Sequence, residues 1–317
     1  MIDIIEDESG AKYDDGSSYE RRELSIYIHI PFCVKKCVYC DFLSFPVGTS
    51  CMQGYGVYRE KYIEALCEEL RSYAYLAETH SVKTIYIGGG TPSLLEADEI
   101  TMIMTTVRSI FDIAEDAEIS IEVNPGTLTS RKAAEYIANG INRMSIGLQS
   151  AQRDELQVLG RIHNYDQFLA AFDMAREAGF RNINIDLMSD IPGQTMRSYL
   201  DTLEKVLRCK PEHISSYSLI VEAGTPLAAS PELLSRIPDE DVDRGMYDIN
   251  TGSKSWIPQI GDTKLCPPWL RVQAQYSLLD AGRIYRCRYR RSLFPIRPQI
   301  HEHQRHRRIH RHNGKLS

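Results

Sequence analysis

The chain has 317 residues, 43% hydrophobic and 25% charged, with a formal net charge of -6. This composition excludes a wholly disordered or collagen-like chain, and the length suits one large domain or two modest ones. No run nears the roughly 18 consecutive apolar residues of a membrane span, and the acidic N-terminus lacks the basic-then-apolar order of a signal peptide, so a cytoplasmic location is expected.

Residues 1–22 are polar, acidic and rich in Gly and Ser, and they read as a flexible leader. Short β-branched runs then alternate with amphipathic segments. SIYIHI (25–30) precedes YIEALCEELRSYAYLAE, KTIYIGG (83–89) precedes ADEITMIMTTVRSIF, and EISIEVN (118–124) precedes RKAAEYIANG. RMSIGLQ (143–149), NINIDLM (182–188) and HISSYSLI (213–220) continue the series, with DQFLAAFDMAREAG and SYLDTLEKVLRC between them. The runs read as apolar on both faces and the segments between them repeat at 3.6 residues, a pattern that predicts βα units around a parallel sheet of six strands. Sheets of this kind bind ligands beyond the carboxyl ends of their strands. At those ends stand CVKKCVYC, GGGTPS, NPG, QS and a segment ending in IPG, so one surface collects the cysteines, the glycines and the isolated polar residues.

Three of the eight cysteines, Cys33, Cys37 and Cys40, fall within eight residues, while Cys51, Cys67, Cys209, Cys266 and Cys287 are scattered. In a cytosolic chain so tight a group points to metal ligation or redox chemistry. A structural zinc site, the alternative, would normally add a fourth Cys or His nearby, and none follows. A 4Fe-4S cluster on three thiolates leaves one iron free for a substrate or cofactor. Lys35 and Lys36 would partly offset its negative charge.

The segment YIHIPFCVKKCVYCDF resembles the cluster motif of radical S-adenosylmethionine (SAM) enzymes, in the form found in their oxygen-independent coproporphyrinogen III oxidase branch. The resemblance covers residues 23–245. It implies a partial (β/α)6 barrel, an open iron chelated by the amino and carboxylate groups of SAM, and electron transfer that yields a 5′-deoxyadenosyl radical. It assigns Cys33, Cys37 and Cys40 to the cluster, and Tyr27 and Tyr39 flank them as cofactor contacts. Gly88-Gly89-Gly90-Thr91-Pro92 is similar to the family's GGGTP turn, in which Gly89, Gly90 and Thr91 would expose backbone groups to the cofactor's methionine moiety. Glu122 and Asp186 are carboxylates inside apolar runs, and each must meet either a ligand or a structural partner. The family match makes both SAM contacts, together with Gln149 and Arg161. His29 reads as packing beneath the cluster loop, and His163 as a surface residue, with porphyrin or proton chemistry as the alternative.

The oxidases of this branch carry a further cysteine two residues after the third, where this chain has Asp41-Phe42. C-x2-C-D-F, IDLMSDIPGQT and SSYSLIVEAGTPL look more like the HemW-type sister group of heme chaperones. That resemblance implies heme bound as cargo and passed to an acceptor protein, and a reductase or flavodoxin-type electron donor. A homodimer is compatible with it. The alternative is porphyrin biosynthesis, with oxidative decarboxylation of two propionates of coproporphyrinogen to vinyl groups.

From Thr251 onward Lys and Arg outnumber Asp and Glu by 14 to 3, against 23 to 40 before it. Taken literally, residues 246–317 are a basic, irregular arm of the kind that binds nucleic acid. A one-base shift of frame offers another reading. KLCPPWLRVQAQYSLLDAGRIYRC then permits NYALPGYECKHNTRYWTRGEYIGV, and HEHQRHRRIHRHNGK permits TNTSDIAEYIATMEN, two family-like strings in the right order. The expectation is therefore an out-of-frame, disordered tail in place of the family's C-terminal region, with no nucleic-acid partner.

Overall fold

The computed structural model describes residues 1–6, 21–47, 55–252 and 264–265. In chain order they form β1 (Ile2–Glu6), β2 (Arg22–Ile30), β3 (Phe32–Cys33), β4 (Phe45–Pro46), α1 (Tyr55–Ser72), β5 (His80–Gly89), α2 (Ala97–Ile110), β6 (Ile113–Val123) and α3 (Ser130–Ala138). There follow β7 (Arg143–Gln149), α4 (Arg153–Val158), α5 (Tyr165–Ala178), β8 (Ile183–Ser189), α6 (Met196–Arg208), β9 (His213–Ser218), α7 (Pro231–Leu234), α8 (Glu240–Gly252) and β10 (Lys264–Leu265).

One sheet runs β1-β2-β5-β6-β7-β8-β9-β10. Its six central strands pair in parallel, each with the next strand of the βα series. These are the six parallel strands expected from the alternation of elements, in the partial (β/α)6 arrangement that the family resemblance implies. Local chemistry marks the helix ends. Asn164 accepts a hydrogen bond from the Gln167 N–H while the Gln167 side chain accepts one from the Asn164 N–H, and the helix they open stops at Gly179, where φ is 109°. Thr195 and Ser198 cap α6 in the same reciprocal way.

The two faces of the strands differ, contrary to the expectation that both would be apolar. Leu24, Ile26, Ile28 and Ile30 alternate outward from β2 and pack with Ile63, Leu66 and Leu70 of α1, all of them buried in one core. Each such side chain contributes about 1.5–3 kcal/mol relative to leaving it in water. The inner face is polar. Thr84 donates to Ser25 at 2.8 Å, Asn184 to Ser145 at 2.7 Å and Ser215 to Asn184 at 3.1 Å, stitching neighbouring strands across the lumen. At its base the fully buried Arg143 donates to Ser120 and to His213 Nδ1, with Glu118 4.0 Å away. An unpaired guanidinium there would be costly; this one is matched on three sides. Short hydroxyls and β-branched side chains both suit a strand, so composition alone did not separate the faces.

The expectation of a flexible leader over 1–22 fails at its start. Residues Ile2–Glu6 are a strand paired antiparallel with β2, with Ile2 opposite Ile28 and Ile4 opposite Ile26, and the alternating isoleucines bury one face of it. Residues 7–20 lie outside the described residues. The boundary placed after residue 245 falls inside α8, which continues to Gly252 and buries Met246 completely. Lys264–Leu265 pair antiparallel with Ile214–Ser215. The rest of the tail, including the region of the proposed frame break beyond residue 252, lies outside the described residues.

Candidate functional site

The carboxyl ends of the parallel strands open onto a cavity of about 540 Å3. Cys33, Cys37 and Cys40 all line it. Cys33 ends β3 at the point where Val47 N–H donates to its carbonyl at 2.7 Å. The turn carrying Cys37 and Cys40 is clamped by main-chain hydrogen bonds, Val38 N–H to the Leu159 carbonyl at 3.1 Å and Leu227 N–H to the Val38 carbonyl at 2.9 Å. Thr91 Oγ1 lies 3.6 Å from Cys33 Sγ and Arg161 Nη1 lies 3.7 Å from Cys37 Sγ, two donors aimed at sulfur. Burial pushes the Cys33 and Cys40 thiols up from their usual values, so loading a metal must displace protons.

The glycine turn sits beside the cysteines. Gly90 N–H donates to the Ile30 carbonyl at 2.8 Å, tying the turn to the strand that leads into the cysteines. Gly89 has φ of 113°, and a Cβ on it would lie 2.5 Å from the His29 ring. His29 is held in turn: Nε2 donates to the Leu43 carbonyl at 2.7 Å and Nδ1 accepts from the Tyr27 hydroxyl at 3.1 Å. Burial lowers its pKa, in keeping with that neutral tautomer. His29 therefore supports the cluster loop from below.

Glu122, Gln149, Arg161 and Asp186 come to the cavity from four different segments of the chain. Glu122 has partners on both oxygens, the Tyr86 hydroxyl at 2.8 Å and the Gly89 N–H at 3.0 Å. Burial, and then the nearby Asp186, still push its carboxyl up to about 7. Asp186 accepts from Ser145 and Asn184, and burial raises its pKa too. Arg161 donates to the Gly147 carbonyl at 2.7 Å. Gln149 takes a left-handed backbone, φ 69°, where the pairing register shifts at the end of β7. A Cβ on Gly147 would lie 3.1 Å from both the Arg161 guanidinium and the Gln149 amide, so this glycine leaves room for the two side chains together.

Gly89, Gly90, Thr91 and Tyr39 also border the cavity. Tyr27 does not; it stands opposite the cavity-lining Tyr86 on the neighbouring strand, their rings stacked with centroids 6.1 Å apart. His163, expected at the surface, is buried, its Nε2 donating to the Leu148 carbonyl and its pKa lowered to about 4 by burial and then by Arg161. Its neighbours in sequence are polar, but it turns inward behind Arg161. Sequence reasoning missed Tyr86, Tyr217 and the two main-chain clamps on Val38. Tyr86 was within reach, because strand alternation puts it on the same face as Gly88, two residues on.

The donor set fits a three-thiolate cluster with an adjoining zwitterion. Three soft thiols, those of Cys33, Cys37 and Cys40, border one space, the donor chemistry that an iron–sulfur cluster takes. The buried Asn124 Oδ1 and Arg161 Nε, on residues that line the cavity, have no hydrogen-bond partner among the described residues. Two carboxylates and a guanidinium therefore surround a space with polar capacity to spare. When bound there, a 4Fe-4S cluster and SAM supply a reducing electron and a carbon-centred radical. The cysteines would hold the cluster, and Glu122, Asp186, Gln149 and Arg161 would orient the cofactor.

The chain is similar to known proteins over most of its described length. The heme chaperone HemW of Haemophilus influenzae is 37% identical over 226 residues, which are 71% of this chain and 57% of that protein. HemW of Escherichia coli K12 is 39% identical over the same shares. The chain thus spans a little over half the length of these curated relatives. The solved structure of E. coli coproporphyrinogen III oxidase (HemN), described as a radical SAM enzyme, superposes with a TM-score of 0.70 at 29% identity. It covers 78% of this chain and 56% of that one. No described helix is long and apolar enough to cross a membrane. The profile of the Radical SAM superfamily matches residues 27–206, the stretch that holds all three cavity cysteines and every side chain just assigned to the cofactor, and the chain belongs to that superfamily.

Proposed function

We propose that this protein is a heme chaperone that carries a 4Fe-4S cluster on Cys33, Cys37 and Cys40, binds SAM in the adjoining cavity, and passes heme to an acceptor protein. The observation that carries the proposal is the identity of 37–39% to proteins named heme chaperone HemW over 71% of the chain. Asp41-Phe42, in place of a fourth cysteine, supports it. Met188, Leu219 and Ile220 give the cavity an apolar side suited to a porphyrin face. The cofactor contacts are Tyr39, Gly89, Gly90, Thr91, Glu122, Gln149, Arg161 and Asp186, with Tyr27 acting through His29. A reductase or flavodoxin-type donor would reduce the cluster.

The likeness to HemN favours a second reading, oxidative decarboxylation of coproporphyrinogen III. Anaerobic incubation of the reconstituted full chain separates the two. The chaperone reading expects about one heme per monomer, transfer of that heme to an apo-acceptor, and no conversion of coproporphyrinogen in the presence of SAM and reductant. Accumulation of protoporphyrinogen refutes it. The tail is proposed to follow a break in reading frame, and resequencing the codons from Asp248 to Lys264 tests this. The same frame on resequencing, with the tail confirmed in the expressed protein by mass spectrometry, refutes a sequencing artefact as the origin of the break and leaves a frameshift in the gene itself.

A further inference from the structure

Tyr86 and Gly88 share the inner face of β5, and Glu122 stands beside them on β6. The Tyr86 hydroxyl donates to one Glu122 oxygen at 2.8 Å and the Gly89 N–H to the other at 3.0 Å. A Cβ on Gly88 would lie 2.8 Å from Tyr86 Cε1 and 3.1 Å from Glu122 Cδ and Oε2. The first glycine of the turn thus leaves vacant the volume that lets the tyrosine and the carboxylate meet. One short segment, Tyr86 to Gly89, supplies both donors and the clearance.

We propose that Tyr86 is a positioning residue that, together with Gly88 and Gly89, holds Glu122 in the cavity as an ionised acceptor for the amino or hydroxyl donors of SAM. This rests on reading the cavity as the cofactor site. Charged and titratable groups reach Glu122 from every neighbouring strand: Tyr27 from β2, Tyr86 from β5, Arg143 from β7, Asp186 from β8 and Tyr217 from β9. Burial and Asp186 favour the protonated acid, while Tyr86, Gly89 and Arg143 favour the carboxylate. Removing the tyrosine hydroxyl shifts that balance toward the acid form.

The test is SAM binding, measured by equilibrium dialysis on the anaerobically reconstituted full chain from about pH 6 to about pH 8.5, a range that brackets the carboxyl's titration. Wild-type affinity should rise with pH as Glu122 ionises. Tyr86→Phe keeps the ring and its packing. It should weaken binding about tenfold near neutrality, as loss of one hydrogen bond to a charged group does, and should move the rise to higher pH. In a Glu122→Gln background the same change should alter affinity less than about twofold. An equal loss in both backgrounds, or a Tyr86→Phe profile that matches wild type, overturns the inference while leaving the cofactor site intact. Failure of the wild type to bind SAM overturns the cofactor reading and this inference with it.

Discussion

Replacing Gly89 by Ala tests whether the turn, the histidine beneath it and the cluster loop form one unit. The backbone there has φ of 113°, and an alanine forced into left-handed space costs about 1–2 kcal/mol. The new methyl would also lie 2.5 Å from His29 Cε1 and 2.6 Å from Nδ1. This ring is not a free end, since it bonds the Leu43 carbonyl and the Tyr27 hydroxyl. Moving it forfeits one or both bonds, each worth about 1 kcal/mol. The expected loss is therefore about 2–4 kcal/mol, read as a lower urea midpoint of the reduced, cluster-free chain. Iron content after reconstitution should fall as well, because Leu43 lies just beyond the cysteine loop. His29→Ala removes the obstacle, so in that background Gly89→Ala should cost only the backbone strain. A loss below about 0.5 kcal/mol refutes the reasoning, and so does an equal loss in both backgrounds.

Cys37→Ala should abolish the cluster, read as loss of the charge-transfer absorption and of acid-labile sulfide after reconstitution; a wild-type spectrum would remove Cys37 from the ligand set. Asp190 lies beside Asp243 of α8, and burial followed by that like charge raises its carboxyl to about 7. Its folded-state value lies above the unfolded one, so the stability it contributes is complete below about pH 4, the ordinary carboxylate value. That stability is lost as pH rises through about 7. Asp190→Asn should flatten the fall of melting temperature across this window and raise it by a few degrees at neutral pH, about what 1 kcal/mol gives a domain of this size. A parallel fall in variant and wild type would show that Asp190 is not the group responsible.

The six parallel strands were legible because each is a short β-branched run followed by a helical repeat, and the cavity residues because they sit where those runs end. What stayed hidden depends on pairing at long range. The isoleucines of Ile2–Glu6 alternate as a strand's do, but the run is short and lies next to an acidic, Gly- and Ser-rich stretch, and its pairing shows only when Ile28 and Ile26 stand opposite it. Tyr86 looked like one more strand aromatic, and its role follows from the register that brings β6 alongside β5. The family resemblance makes Tyr27 a cofactor contact, and its hydroxyl bonds His29 Nδ1 at 3.1 Å. Alternation also puts it on the same face of β2 as His29. Local polarity likewise misplaced His163, whose burial comes from the chain folding back over Leu148.

The clamps on Val38 set an order of events during synthesis. The cysteine loop leaves the ribosome well ahead of the groups that grip it, since the Leu159 carbonyl and the Leu227 N–H are made more than a hundred residues later. Until Leu227 has emerged the three thiols sit on a loop without its second clamp and open to oxidation. A cluster on these thiols would therefore be inserted into the finished barrel. In a growing chain the loop lacks that clamp for nearly as long as it takes to translate β9 and the turn beyond it.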